Sequence, residues 1–218
     1  MNSQKNVSER WQFGSSLSST FALTGMLISM GSLAHAEAIQ WTEAEGGNGH
    51  WYERTYEAGE ITWHQARDIA QARGGDSVVF NTLDERVWIN DQFVDGQPYC
   101  APADWAQRYT FWVGLYQDLN APDYSEPAGG WYWINGTSLE DTPVCTAPYY
   151  CAFSNGGTGP EAFGVMGDGG IGWIQDEAVD ADIYCVKSAL IEWSADCNGD
   201  GIVDYGQILD GTYADDDG

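Results

Sequence analysis

The sequence has 218 residues, a length that suits one domain with appendages or two small domains. It carries 33 Asp and Glu against 8 Lys and Arg, a net charge of −25. Binding to nucleic acid or to anionic lipid needs basic patches, so this charge argues against both kinds of partner. The acidity also favours a need for divalent cations, and it is densest from Asp196 onward. Hydrophobic residues reach 43% and aromatics 14%, which indicates a packed, strand-containing fold.

Residues 1–36 have the pattern of a signal peptide. Lys5 and Arg10 supply a positive start, residues 17–33 are mostly apolar, and Ala34-His35-Ala36 is a small-x-small cleavage site. A membrane anchor is the alternative, but Ser, Thr and Gly interrupt the apolar run. We therefore expect a secreted protein, periplasmic or at the cell surface if it is bacterial. Its mature chain would begin near Glu37 and contain no membrane span.

Five cysteines follow the cleavage site, and disulfides are their expected use in an exported protein. The chain has no CxxC motif and no Cys/His cluster that would indicate zinc. Cys145 and Cys151 flank a short loop and are a candidate bridge. The remaining connectivity stays open, and an odd count leaves one thiol either unpaired or bonded between chains.

The first half of the mature chain predicts two strands and two helices. Residues 39–56 indicate a strand, a turn and a second strand. Thr62 can cap a first helix that ends at Gly74-Gly75. Its helical face would carry Ala66, Ile69, Ala70 and Arg73.

A short apolar strand is predicted at residues 77–80, ahead of the second helix. Asn81 or Thr82 can cap that helix, and Glu85 is placed as in a capping box. Its buried face would be formed by Val87, Trp88, Ile89 and Phe93.

The second half predicts strands separated by long loops. Residues 95–110 are a polar loop, and residues 111–115 are a strongly apolar strand. Residues 131–134 form another strand, closed by a turn at Asn135-Gly136. Residues 137–160 are irregular, and such a long loop is usually functional or disordered. Further short strands are expected at 163–166, 172–174 and 189–193.

Several of these segments carry a family resemblance. Phe111-Trp112-Val113-Gly114-Leu115 is similar to the Trp-Ile-Gly-Leu strand of C-type lectin-like domains, and Trp131-Tyr132-Trp133-Ile134-Asn135-Gly136 resembles the Trp-x-Trp-x-Asp-Gly segment that follows it there. The two predicted helices, Gly172-Trp173 and residues 189–193 stand in the family's order. The resemblance implies an α+β fold in which two helices flank small antiparallel sheets beside a long loop region. It divides the chain into a signal peptide (1–36), a C-type-lectin-like domain (37–193) and an acidic tail (194–218).

The disulfides implied by the resemblance are not kept. The bridge that usually joins the first helix to the last strand falls on Ala70 and Ile191, so we expect hydrophobic packing in its place. Phe163 stands where the second bridge has a cysteine.

The calcium and sugar site of lectin members survives only in part. Aligned without gaps, the family's ligand triplet falls on residues 153–155 and its later Glu on Glu161, while Asp176 matches the final Asn-Asp pair with one residue inserted. Ile174 does not match, and calcium needs six to eight oxygens. Exposed aromatic residues of this loop would suit stacking on a sugar or a protein surface. The candidate ligand-binding residues are therefore Asn155, Glu161, Asp176, Tyr149, Tyr150 and Phe153.

The acidic tail holds the most complete local motif. Residues 196–207 match the calcium loop D-x-[DN]-x-[DN]-G with its downstream ligands. Gln207 stands where a bidentate Glu is usual, which predicts weaker binding. The loop resembles those of dockerins and thrombospondin type 3 repeats, and residues 215–218 look like the start of a second copy. An unstructured acidic tail is the alternative. The predicted calcium ligands are Asp196, Asn198, Asp200, Ile202, Asp204 and Gln207.

No catalytic constellation is visible. After signal removal only His50 and His64 remain as histidines, and neither G-x-S-x-G nor H-E-x-x-H occurs. We expect a non-enzymatic binding protein for carbohydrate or a protein surface, with calcium as its cofactor. The alternatives are a structural or adhesive surface protein and a secreted hydrolase.

Overall fold

The computed structural model describes residues 37–94, 109–146, 151–153, 162–167, 173–177 and 186–212. These residues form nine strands in two sheets and three α-helices, so the predicted α+β arrangement is confirmed. The predicted signal peptide lies outside the described residues. Among the residues described, no helix is both long enough and apolar enough to cross a membrane.

The first sheet brings the two ends of the domain together. Its strands are β1 (Ile39–Gln40), β2 (Trp51–Arg54), β3 (Asp76–Ser77) and β9 (Leu190–Trp193). They lie in the order β1-β2-β9-β3, and every pair is antiparallel. Trp51 pairs with Trp193 and Tyr52 with Glu192. The predicted strand at 77–80 is therefore only partly right, since Val78–Phe80 continue as buried chain outside the strand.

The second sheet contains the motif strands. It consists of β4 (Tyr109–Gln117), β5 (Trp131–Trp133), β6 (Cys151–Ala152), β7 (Phe163–Gly167) and β8 (Trp173–Glu177) in the order β5-β4-β7-β8-β6. The pairs are antiparallel except β6 and β8, which run parallel. The two motif strands β4 and β5 are neighbours, with Leu115 opposite Trp133 and Gln117 opposite Trp131. Side chains of both strands supply much of the core.

Helix α1 (Trp63–Gln71) forms where its cap and apolar spacing predict it. The Thr62 hydroxyl accepts the Gln65 backbone N–H, and the Gln65 side-chain oxygen accepts the Thr62 backbone N–H. The two bonds complete a capping box. Ala66 and Ala70 are fully buried. The helix stops before Arg73, whose guanidinium instead pairs with Glu53.

Helix α2 (Leu83–Ile89) continues as a π turn over Asn90–Val94. Thr82 caps it, but its predicted buried face is partly wrong. Ile89 and Phe93 are buried as expected, whereas Val87 and Trp88 are half-buried and Glu85 and Arg86 take their place inside. Glu85 and Arg86 can be buried because their polar groups have hydrogen-bond partners inside the protein. Arg86 donates to the buried Val144 carbonyl, and Glu85 joins a hydrogen-bond network described below.

The predicted covalent and apolar ties are both present. Cys145 and Cys151 form a disulfide. Ala70 and Ile191 have no exposed surface and pack in one apolar cluster, which confirms the hydrophobic packing predicted for them.

Candidate functional site

The acidic tail forms an ordered loop directly after β9. The Asp196 carboxylate accepts backbone N–H groups from Gly199 at 2.8 Å, Asp200 at 3.2 Å and Gly201 at 2.9 Å. Gly199 and Gly201 both have positive φ, near 72° and 86°, a conformation that favours glycine. The first Asp and the two glycines of the motif thus fold the loop around a single carboxylate.

The next ligand positions converge on one another. Gln207 Nε2 donates to Asp200 Oδ2 at 2.7 Å, and Asn198 Nδ2 donates to Gln207 Oε1 at 3.0 Å. Asp200 Oδ1 accepts the Ile202 N–H at 2.9 Å. These hydrogen bonds lower the pKa of Asp200, chiefly the one from Gln207, so its carboxylate is held in the ionised form. Predicted ligands at the third, fifth and twelfth loop positions therefore lie side by side.

Asp204 and Ile202 occupy two different environments. Ile202 is exposed, whereas Asp204 is buried at the first residue of α3 (Asp204–Asp210). Asp204 Oδ2 accepts the Cys197 N–H at 2.8 Å, while its Oδ1 is buried without a hydrogen-bond partner among the described residues. A buried carboxylate oxygen left unpartnered is costly unless a cation or water satisfies it.

The donor set fits calcium. Its side chains offer only carboxylate and amide oxygens, the ligands that this hard cation prefers. No histidine or cysteine side chain belongs to the predicted ligand set, which disfavours zinc and other transition metals. The exit helix α3 was not predicted, and its presence argues against the alternative of an unstructured tail.

The long-loop candidates are only partly described. Asn155, Glu161, Tyr149 and Tyr150 lie outside the described residues. Phe153 is half-buried and stacks on Trp131 with ring centroids 4.4 Å apart, so much of its ring already has an aromatic partner. Asp176 is buried within β8, opposite Gly164 of β7.

A second polar site, which lies between the first sheet and α2, was not predicted. His50 Nδ1 lies 2.6 Å from Glu192 Oε1, and Glu192 Oε2 accepts the Val79 N–H at 2.8 Å. Glu85 Oε1 accepts the Tyr52 hydroxyl at 2.6 Å, and Glu85 Oε2 accepts the Asn81 N–H at 2.8 Å. Ligand-type atoms of His50, Glu85 and Glu192 all lie within 4.8 Å of one another. Protein donors thus engage all four carboxylate oxygens.

Burial sets the protonation of this network. Desolvation, reinforced by the charge of Glu192, raises the pKa of Glu85 to about 7. Burial alone would lower the pKa of His50, but its hydrogen bond to Glu192 and the nearby carboxylate charges outweigh that effect and raise it. Burial and the same two carboxylates also raise the pKa of Tyr52. The network therefore retains protons that the same groups would release in water.

A polar cleft of about 340 Å³ opens beside this network. His50 and Glu192 line it together with the α1 exit, the turn after β5 and the start of the tail. Its polar lining residues are His50, Asp76, Ser77, Asn81, Asn135, Glu192 and Ser194.

Comparison with known proteins finds similarity in structure alone. No family model and no curated protein sequence matches the chain. The solved structures that resemble it include several C-type lectin domains. The cow CD23 carbohydrate-recognition domain, solved with a GlcNAc2Man3 oligosaccharide, is 19% identical with a TM-score of 0.43, covering 68% of this chain and 91% of that one. The mouse scavenger receptor C-type lectin domain is 13% identical with a TM-score of 0.44, covering 73% and 95%. The lectin CEL-I from Cucumaria echinata is 16% identical with a TM-score of 0.42, covering 66% and 89%.

Sequence reasoning missed the buried network because its members are far apart in the chain. His50 and Glu192 are separated by 142 residues and meet only through the pairing of β2 with β9. One signal was available, since Glu192 interrupts the otherwise apolar strand Leu190–Trp193. A charged residue in a fully buried strand requires a partner elsewhere.

Proposed function

We propose that this chain is a secreted, non-enzymatic binding module, in which a C-type-lectin-like domain recognises carbohydrate or a protein surface and the tail loop binds calcium. The convergence of Asn198, Asp200 and Gln207 beside the Asp196 turn carries the calcium part. Calcium binds where several oxygens can surround it, and this loop gathers them within 12 residues of chain. Gln207 supplies one neutral oxygen in place of a bidentate carboxylate, so the affinity is lower than in a calcium sensor.

The binding part rests on the domain's motif strands and its loop. The segments that resemble the C-type lectin signature lie in the neighbouring strands β4 and β5, where Leu115 pairs with Trp133. Phe153 stacks on Trp131 of β5, which fixes one end of the long loop against that sheet. The residues that follow Phe153 include Asn155 and Glu161, the two that match the family's sugar-binding ligands.

Calcium titration by calorimetry tests the calcium site. The mature protein is expected to bind one calcium in the tail, and an Asp196→Ala, Asp200→Ala double variant is expected to lose it. Asp123→Ala with Asp141→Ala is a matched control, because both acids are exposed and lie in the domain outside the loop. Calcium binding that persists unchanged in the double variant contradicts the assignment.

A glycan array, probed with and without chelator, tests the ligand class. Sugar binding that chelator abolishes, in a protein already carrying the tail double substitution, assigns calcium to the long loop. Sugar binding that chelator leaves intact indicates a calcium-independent lectin. Binding to proteins with no response to glycans favours the adhesive alternative.

A further inference from the structure

The tail is packed against the domain through three residues, Val203, Tyr205 and Gly206. Val203 is buried in the apolar cluster that also contains Ala70 and Ile191. The Tyr205 ring stacks on Trp193 at 4.3 Å between centroids and meets Trp51 edge-on at 5.5 Å. A Cβ on Gly206 would lie 3.0 Å from Trp51 Nε1, so the helix approaches that ring as closely as a glycine allows. These contacts fix α3 to the sheet at the pair Trp51 and Trp193.

The apolar anchors alternate with predicted calcium ligands in the same five residues. Asp204 stands between Val203 and Tyr205, and Gln207 follows Gly206. The Asp204 N–H donates to the Ala195 carbonyl at 2.8 Å, which closes the loop at the point where the chain leaves β9. Movement of α3 away from the tryptophans would therefore also displace Asp204 and Gln207 from the loop.

The docked segment also covers a place where the domain lacks a covalent tie. Ala70 of α1 and Ile191 of β9 belong to one apolar cluster between the first helix and the last strand, and Val203 from the tail is buried in the same cluster. Burying apolar surface there stabilises the domain by removing it from water. Any ligand that fixes the tail in place would add to that stability.

We propose that calcium binding in the tail loop and docking of α3 on Trp51 and Trp193 form one linked equilibrium. Calcium then favours the docked position of α3, and docking raises the calcium affinity by the same factor by which calcium raises the docking equilibrium constant, because linkage is reciprocal. Bound calcium therefore stabilises the whole domain. This inference rests on the proposed calcium site and names its regulation. The tail is then a calcium-dependent clamp on the domain, and not an independent appendage.

Tyr205→Ala tests the linkage because it removes the stacked ring and leaves every predicted ligand. In the wild type we expect calcium at one hundred times its Kd to raise the midpoint of thermal unfolding by roughly 5–10 °C. In Tyr205→Ala we expect the calcium affinity by calorimetry to fall at least about fivefold and the thermal shift to shrink accordingly. Tyr205→Phe keeps the ring and is expected to retain both effects, which separates loss of docking from general misfolding.

Leu209→Ala is the matched control within the same helix. Leu209 is 61% exposed and belongs to none of the domain's apolar clusters, so its removal is expected to change neither the affinity nor the thermal shift. If the wild type binds calcium in the tail but Tyr205→Ala keeps the wild-type affinity and shift, the linkage is overturned and the calcium site stands. If the wild type binds no calcium at all, the proposed site and the linkage fail together.

Discussion

The tail loop and the buried network between β2, α2 and β9 both depend on carboxylates, but the carboxylates are exposed in the tail and buried in the network. In the tail, Asp196 and Asp200 are exposed and their carboxylates accept backbone and amide N–H groups. These hydrogen bonds lower the pKa of Asp200 and favour its ionised form. In the network, Glu85 and Glu192 are almost fully buried, and burial raises the pKa of Glu85 so that its protonated form is favoured. Exposed carboxylates gathered by a tight turn suit a divalent cation, whereas buried ones beside a histidine suit a shared proton.

The largest expected effect comes from removing Glu85. Glu85→Ala removes the acceptor of the buried Tyr52 hydroxyl and of the partly buried Asn81 N–H. We expect a loss of about 3 kcal/mol in the free energy of unfolding, measured by urea denaturation. Exposed Glu140 provides the control, since Glu140→Ala is expected to change stability by less than about 0.5 kcal/mol. An equal loss of unfolding free energy in the two variants would show that the buried network does not stabilise the fold.

The network's pKa shifts predict that stability falls as pH rises. Folded Glu85, with a pKa near 7, binds more protons than the unfolded chain between about pH 4.5 and 7, so its contribution is present at low pH and lost across that window. The raised pKa of His50 acts in the same direction above pH 6.5. We expect urea unfolding to show a decrease of roughly 1–3 kcal/mol from pH 5 to pH 8.

The strongly negative chain also repels itself more as pH rises, so a variant is needed to isolate the network. Glu85→Gln cannot titrate and is expected to flatten the pH dependence while keeping the side-chain volume. A pH profile that stays as steep in Glu85→Gln would assign the effect to overall charge.

The smallest expected effect is a gain in the calcium affinity of the tail loop. Gln207→Glu adds a charge and an oxygen at the loop position where Gln207 now bonds to Asn198 and Asp200. We expect calcium affinity to rise by roughly tenfold by calorimetry, because bidentate carboxylate ligation at this position is the usual arrangement. Asp210→Asn, beyond the loop, is expected to leave the affinity unchanged. A lower affinity in Gln207→Glu would mean that the amide bridge, and not the ligand count, sets the strength of the site.

Sequence alone determined the features that depend on neighbouring residues. The Thr62 and Thr82 caps, the apolar strands around Phe111 and Trp131, the Cys145–Cys151 bridge and the loop pattern after Asp196 all involve short separations, where residue type and spacing fix the local geometry. The apolar packing of Ala70 with Ile191 was also foreseen, but through the family resemblance and not through spacing.

Tertiary structure alone decided which charged residues are buried and what the tail touches. Periodicity placed Val87 and Trp88 inside α2, yet Glu85 and Arg86 are the buried pair because strands and loops distant in sequence supply their hydrogen-bond partners. The Tyr205 ring likewise contacts Trp51, which lies near the other end of the chain's folded domain. These contacts join residues from 33 to more than 100 positions apart, and local pattern carries no information about them.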